Sequence, residues 1–370
     1  MIEGYGAPDI NTPGNVGSFY RDLETNTMYK CTDMISEPVQ KQFVSIRSHV
    51  PTTKYEWEGP TPIHFPDDGK TRFLMEIVEG LLESVLTFTL SGDLAGTIDW
   101  GDGKIASLAS INRHTYRKAG EYVVTINVTN GRIQINQDFA KHHYTADFGY
   151  SQVKRCVVGE QVTLGDRCFS NLPNLQTVAL KTSDLRAIPQ YAFSECKSLR
   201  SIEMPNITTI YKYAFQNCSS LNIEIPNSIE YMGDSAFTGC ASITNIEIPN
   251  GHMVISNNLL SSCCSLKNVS IPESVTTIQN MALAGTYALE SVTFPSTVTE
   301  IGEAALYQSA VKAIYVKSST PPTLKKHVGL GWPLPSGIPI YVPSISVSEY
   351  QSATGWSTYA NQILPMSALD

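Results

Sequence analysis

A chain of 370 residues with 42% apolar and 16% charged side chains is long enough for two or three folded domains and too apolar to be disordered. Its formal charge of -8, without any dense Lys/Arg cluster, excludes a nucleic-acid track or an anionic membrane surface as partner, and no apolar run reaches membrane-spanning length. Residues Met1–Pro8 have neither a basic start nor an apolar core, so they do not read as a Sec signal peptide.

Residues 1–66 read as an attachment segment and linker punctuated by Gly and Pro. Alternating apolar positions in Val16–Arg21 and Met28–Cys31 predict a lone hairpin, which is marginal in water and needs something to pack against. Tyr55-Glu56-Trp57-Glu58 predicts a further strand, and Pro60, Pro62 and Pro66 then stiffen the link. The runs Gly6-Ala7-Pro8, Val16-Gly17-Ser18-Phe19-Tyr20-Arg21-Asp22 and Tyr29-Lys30-Cys31 resemble a short hairpin element of phage tail and fibre proteins and of collagen-like surface proteins. That resemblance implies contact with other virion proteins through this segment.

Over residues 67–148 the period is two. Leu86, Phe88 and Leu90, then Tyr122, Val124, Ile126 and Val128, predict strands with one buried face. Between them Asp99-Trp100-Gly101-Asp102-Gly103 predicts a turn capped by Asp99 and Asp102, with Gly101 and Gly103 at positive φ and Trp100 in the core. His114 and Tyr116 are expected to hydrogen-bond that loop. A carboxylate pair for acid/base work is set aside in favour of the turn, and calcium at Asp102 lacks a third carboxylate. His142-His143 has no Glu or Cys at ligand spacing and reads as surface or packing. The motifs Trp100-Gly101-Asp102-Gly103, His114-Thr115-Tyr116 and Gly120-Glu121-Tyr122 resemble a polycystic-kidney-disease-type (PKD) immunoglobulin-like domain, which implies a β-sandwich used as a spacer or adhesive module.

Residues 149–317 repeat. One slot holds Leu172, Cys196, Cys218, Cys240, Cys263, Thr286 and Ser309, with gaps of 24, 22, 22, 23, 23 and 23, the mark of a solenoid. Each turn is expected to carry a strand closed by Pro, a second extended piece such as Val275–Ile278 and a brief helical turn such as the one carrying Ala282-Leu283. Cys196, Cys218, Cys240 and Cys263 form a column of small buried residues, because a stacked column spreads thiols out instead of converging them on a metal. Of the vicinal pair Cys263-Cys264, one thiol is expected inside and one outside. Loss of Phe at Leu259-Leu260, Ala282-Leu283 and Ala305-Leu306 predicts a changed core toward the end. The pattern Ile-Pro-x-Ser-Val-Thr-x-Ile, then Ala-Phe-x-x-Cys, resembles the leucine-rich repeats of BspA-like bacterial and protozoan surface proteins.

Residues 318–370 read as a cap that covers the last exposed edge and resembles the terminal segment of the same proteins. Pro339–Pro343 predicts a strand, and Val347–Tyr350 to Trp356–Ala360 a short amphipathic helix ending near Pro365. Trp332 and Trp356 could serve as sugar platforms, with a capping core as the favoured use.

The fold expected is therefore mainly β and multidomain: an immunoglobulin-like β-sandwich, a BspA-like leucine-rich-repeat solenoid and a C-terminal cap. The function expected is non-enzymatic, with no cofactor or metal: a phage virion component of tail or fibre type that binds the bacterial host surface through its repeats. A bacterial cell-surface adhesin for host protein or glycan is the alternative, and a glycan-active enzyme accessory protein a third reading. Homo-oligomers are compatible with either location. Candidate ligand-binding residues are Tyr191, Tyr211, Tyr213 and Tyr231, against the reading that they only cover the core. Glu203, Glu224 and Glu247, in one slot, read as a solvated edge rather than catalytic acids.

Overall fold

The computed structural model describes residues 2–4, 19–22, 28–35, 54–58, 65–77, 85–136, 141–142, 153–329 and 333–369. They fall into two compact units, residues 1–66 and 67–370. In the first, strands Ile2–Gly4, Phe19–Asp22, Met28–Ile35 and Lys54–Glu58 form one sheet in that order. Phe19–Asp22 and Met28–Ile35 pair antiparallel as a hairpin. The Gly6-Ala7-Pro8 and Val16-Gly17-Ser18 parts of the motif lie outside the described residues, as do His143 and Trp332.

The second unit begins with two sheets. Thr71–Ile77, Gly120–Asn130, Ala95–Asp99 and Ile105–Ser107 make one; Val85–Gly92, Ile111–Thr115, Ile133–Ile135 and Lys141–His142 belong to the other. Phe73, Met75, Ile98, Trp100, Val124 and Ile126 from one sheet are buried with Leu90, Ile133 and Ile135 from the other, as period-two alternation requires. Neither sheet stops there. Thr71–Ile77 pairs antiparallel with Val153–Val158, which pairs parallel with Thr177–Leu180 and then Ser201–Glu203. On the other side Ile133–Ile135 pairs parallel with Val162–Leu164. The segments read from sequence as 67–148 and 149–317 therefore share both sheets and one core.

Each solenoid turn has three sides. The long side carries Asn245–Glu247 paired with Asn268–Ser270 and, beyond a break in the pairing, Ser291–Phe294, Ala313–Val316 and Ile340–Val342; the short side carries Ala187–Ile188, Thr209–Ile210, Tyr231–Met232, Val254–Ile255, Thr277–Ile278, Glu300–Ile301 and Thr323–Leu324. The third side, where helical turns were expected, is instead a stack of hydrogen-bonded turns without helix. Its residues aim alternate N–H groups at the next turn, so a spine of bonds runs Phe169 to Ala192, Phe193 to Ala214, Phe215 to Ala236, Phe237 to Leu259 and Leu260 to Ala282, all at 2.8–3.1 Å. Aiming them needs left-handed backbone twice per turn, at Tyr191 and Glu195, Tyr213 and Asn217, Ser235 and Gly239. A helix would have turned those N–H groups back onto its own turn.

Between the turn carrying Cys218 and the turn carrying Cys263, both sheets are interrupted: Ser201–Glu203 and Asn245–Glu247 flank a turn with no strand, and Tyr231–Met232 does not pair with Val254–Ile255. The spine continues through this level, with Ser235 donating to Asn257 O at 2.8 Å and Phe237 to Leu259 O at 3.1 Å.

The C-terminal segment is not one helix. It forms a 3-10 turn at Ser344–Ser346, an α-helix at Val347–Ser352, a second 3-10 segment at Trp356–Gln362 and a strand, Ile363–Pro365, that joins the sheet on the long side. Ala353 is extended and Gly355 has φ 83°, which ends the helix. Trp356 is fully buried and donates from Nε1 to Pro322 O at 2.7 Å, while Tyr350 donates to Ser318 O at 2.8 Å, so Trp356 is core and offers no platform.

Candidate recognition surface

The loop Asp99–Gly103 is a closed network. Asp99 Oδ1 accepts from Gly101 N at 2.9 Å and Asp102 Oδ1 from Lys104 N at 3.2 Å, with φ 78° at Gly101 and 86° at Gly103. His114 lies flat on Trp100, centroids 4.8 Å apart, and its Nε2 is 2.9 Å from Asp102 Oδ2. Burial pushes the Asp102 carboxyl up, but the hydrogen bond and charge of His114 outweigh it and hold the group below its usual range. Tyr116 OH donates to Trp100 O at 2.8 Å, and burial keeps that phenol protonated well above its ordinary pKa. Both Asp102 carboxylate oxygens and Asp99 Oδ1 are thus engaged within the loop and its His114 partner. Among the described residues no three His, Cys, Asp or Glu side chains converge to hold a metal ion.

Cys196, Cys218, Cys240 and Cys263 are buried in one column. Each donates its S–H to the carbonyl of the preceding turn's Phe: Cys196 to Phe169 and Cys218 to Phe193 at 3.0 Å, Cys240 to Phe215 at 3.1 Å, and Cys263 to Phe237 at 3.3 Å. Sequence reasoning saw a compact hydrophobe and missed the donor. Thr286 and Ser309 instead bond within their own turns, to Leu283 O and Leu306 O. Burial pushes the Cys196 and Cys263 thiols up to about 12, leaving no thiolate for redox or metal chemistry near neutral pH. Cys264 is exposed, so the vicinal pair is one in and one out. Beside the thiols, Phe169, Phe193, Phe215 and Phe237 stack at 5.4–5.5 Å, and Leu260, Leu283 and Leu306 continue the slot in the later turns.

The four tyrosines form two pairs. Tyr191 and Tyr213, both at positive φ, stack face to face with centroids 4.6 Å apart and planes within 7°, and the Arg167 guanidinium lies 4.0 Å above Tyr191. Arg167, Tyr191 and Tyr213 hold one slot on three successive turns, so the stack follows from the repeat. Tyr231 lies on the short side and Tyr211 just beyond the adjacent strand, their rings 6.4 Å apart and tilted, 51% and 48% exposed. No ring contact among the described residues links the pairs. Tyr287, Tyr307 and Met253 are also exposed, and the sequence reading missed them because they occupy slots filled by polar residues in other turns. Glu203, Glu224 and Glu247 are exposed along the long side, and Glu203 pairs with Lys181 at 2.8 Å.

The family described as BspA type Leucine rich repeat region matches in six copies over residues 162–288 and 208–324. Among solved structures, the chain is similar to a leucine rich cell surface protein from Faecalibacterium prausnitzii, with 26% identity over 60% of this chain and 66% of that one and a TM-score of 0.40. A leucine-rich repeat protein from Bacteroides ovatus is 21% identical over 58% and 66%, TM-score 0.33, and the pneumococcal vaccine antigen PcpA 12% identical over 95% and 99%, TM-score 0.27. The chain thus spans about 66% of the length of the first two. No curated protein matches it. None of these matches carries the virion assignment or the PKD-type resemblance. Regular turns, the buried Phe and Cys columns and the matched span together make residues 162–324 a BspA type leucine-rich-repeat region.

Proposed function

We propose that the chain is a non-enzymatic recognition protein of a bacterial cell surface, an adhesin that holds host protein or glycan through its repeats. The observation that carries this reading is the pairing of exposed aromatic rings on adjacent turns of a rigid array, with Tyr211 beside Tyr231 and the Arg167–Tyr191–Tyr213 stack nearby in sequence. Tyrosines on a stiff scaffold supply contact area at small entropic cost. The carboxylates support the same side of the argument: Asp102 is tied to His114, and Glu203 to Lys181. Attachment of the purified chain to an epithelial cell monolayer and to immobilised mucin tests the proposal. Tyr211→Ala with Tyr231→Ala is expected to cut retention about tenfold, the weight of a pair of aromatic contacts, with an unchanged melting temperature. Equal retention removes these rings from the surface, and turnover of a polysaccharide by the purified chain overturns the non-enzymatic reading.

A further inference from the structure

Both sheets of the sandwich run on into the repeats along one side, through Val153–Val158 and Val162–Leu164. Their opposite sides end at Ile105–Ser107 and Ile111–Thr115, and among the described residues each of these strands pairs with one neighbour only. Ile111–Thr115 is the longer edge, and its pairing fixes which of its main-chain groups are free. Leu90 donates its N–H to Ser110 O at 2.9 Å, so the antiparallel register places the hydrogen-bonded positions at Ser110, Asn112 and His114. The N–H and C=O groups of Ile111, Arg113 and Thr115 therefore point away from Val85–Gly92, onto the open edge. Side chains alternate as well: Asn112, His114 and Tyr116 are buried, whereas Ile111, Arg113 and Arg117 are exposed and Thr115 is half-buried. One outward row thus runs Ile111, Arg113, Thr115, Arg117, with the two arginines about 13 Å apart along an extended chain.

We infer that this edge is a docking site for an extended acidic segment of a partner protein, which adds a strand beside Ile111–Thr115. The site lies on the sandwich and does not involve the tyrosines of the repeats. Charge selects the occupant. Asp102 is held by His114 and Glu121 by Lys154, and no ion pair among the described residues engages Arg113, Arg117 or Lys118. The cross-strand partners of the outward row, Thr89, Thr87 and Val85, carry no charge. In a chain of net charge -8 this leaves a local excess of positive charge along a bare edge. A second copy of the strand fits badly: antiparallel self-pairing sets arginine against arginine, directly in the registers centred on Arg113 or on Thr115 and diagonally in the register between them. An acidic strand has the reverse fit. Run antiparallel, it sets glutamates four residues apart opposite Arg113 and Arg117 and an apolar side chain opposite Ile111, which is 52% exposed. Main-chain pairing supplies affinity and the outward row supplies selection.

A labelled seven-residue peptide with glutamate at its first and fifth positions, valine at its seventh and threonine elsewhere, followed by fluorescence anisotropy on the full chain, tests this. It is expected to bind, and to bind more weakly as salt rises, whereas the peptide with lysine in place of glutamate does not bind. Proline at the third peptide position keeps the charge, removes a central main-chain donor and is expected to weaken binding at least about tenfold. Arg113→Gln with Arg117→Gln is expected to cost about two- to tenfold, the weight of two solvent-exposed ion pairs. Thr115→Pro removes an outward N–H without breaking a bond to Val85–Gly92, and is expected to reduce binding at least about tenfold. Unchanged binding in a Thr115→Pro variant that keeps its β circular dichroism overturns the site; should that variant fail to fold, equal affinity in the double arginine variant does so. Equal binding of the proline peptide means charge attraction without strand addition and also overturns the proposal. Preference for the lysine peptide or for sialyllactose overturns the ligand class, as does no binding by the unaltered chain, which leaves the arginines as guards against edge-to-edge aggregation. Peptide binding is expected to be unchanged in Tyr211→Ala with Tyr231→Ala, so failure of the repeat surface and failure of this edge are read separately.

Discussion

His252 occupies a column that the other turns fill with Leu185, Ile207, Ile229, Val275 and Val298. It is 6% exposed, and neither ring nitrogen has a hydrogen-bond partner. Burial pushes its pKa below the ordinary 6.5, opposed in part by the nearby Pro249 carbonyl, which does not reach hydrogen-bond geometry with the ring. A buried polar group left unsatisfied costs about 1–3 kcal/mol. The slot accepts a β-branched side chain without strain, since Val275 is fully buried one turn away. His252→Val is therefore expected to stabilise the protein by about 1–3 kcal/mol at pH 7.5, or about 2–4 °C in melting temperature for each kcal/mol. The pH dependence has a definite sign. The unfolded imidazole takes up its proton near pH 6.5 while the folded one stays neutral to lower pH, so the unfolded state binds more protons in that window. Stability present above pH 6.5 drains as the pH falls, until the folded ring protonates in turn. Calorimetry at pH 7.5 and 5.5 should show the variant gaining more at the lower pH. Solenoids need not unfold in one step, so amide exchange at Val254 and Ile255 should be followed beside the melt. A loss of stability at pH 7.5, or an equal effect at both pH values, refutes the reasoning and means that the ring nitrogens are satisfied by ordered water.

Phe215, stacked at 5.5 Å on both Phe193 and Phe237, should cost about 3–5 kcal/mol in urea denaturation when changed to Ala. Phe215→Leu should retain most of that stability, because Leu260 and Leu283 fill the same slot. With a maleimide at pH 8 and peptide mapping by mass spectrometry, Cys264 should label rapidly, while Cys156, Cys168, Cys196, Cys218, Cys240 and Cys263 label only after denaturation. Rapid native labelling anywhere in the column contradicts the packing described here.

The solenoid was legible because its core is periodic: Ala192, Phe193, Cys196 and Leu199 recur at nearly constant spacing, and spacing survives translation into structure. The loop around Trp100 was legible for a different reason, since Asp, Gly and Trp have narrow local uses. What stayed hidden depends on pairing between distant segments. Nothing in Thr71–Ile77 or Ile133–Ile135 announces that they pair with Val153–Val158 and Val162–Leu164 and carry the sandwich's sheets into the repeats. The left-handed spine was equally opaque, because Tyr191, Glu195 and Tyr213 hold positions where a glycine would have been the signal, and only Gly239 and Gly285 gave one. The missing strand lay in plain view as a 22-residue gap, but two gaps of 22 conceal two different omissions. Leu221 to Pro226 is short along the strand, whereas Pro205 to Ile210 is short at the corner, and only the former unpairs a ladder.

The level at which both sheets part also has a mechanical meaning. There the turns are joined by the spine bonds from Ser235, Phe237 and Gly239 and by hydroxyl bridges such as Ser256 to Met232 O and Ser242 to Ser219 O. Two walls open and one closed make a joint whose pivot is the spine, as a book opens about its binding. Bending there stretches no ladder hydrogen bond in either sheet, while bending at the level of Thr277–Ile278 and Glu300–Ile301 strains a paired strand. The array thus has a compliant point near its middle, and a tug on one end is absorbed there before any turn unravels.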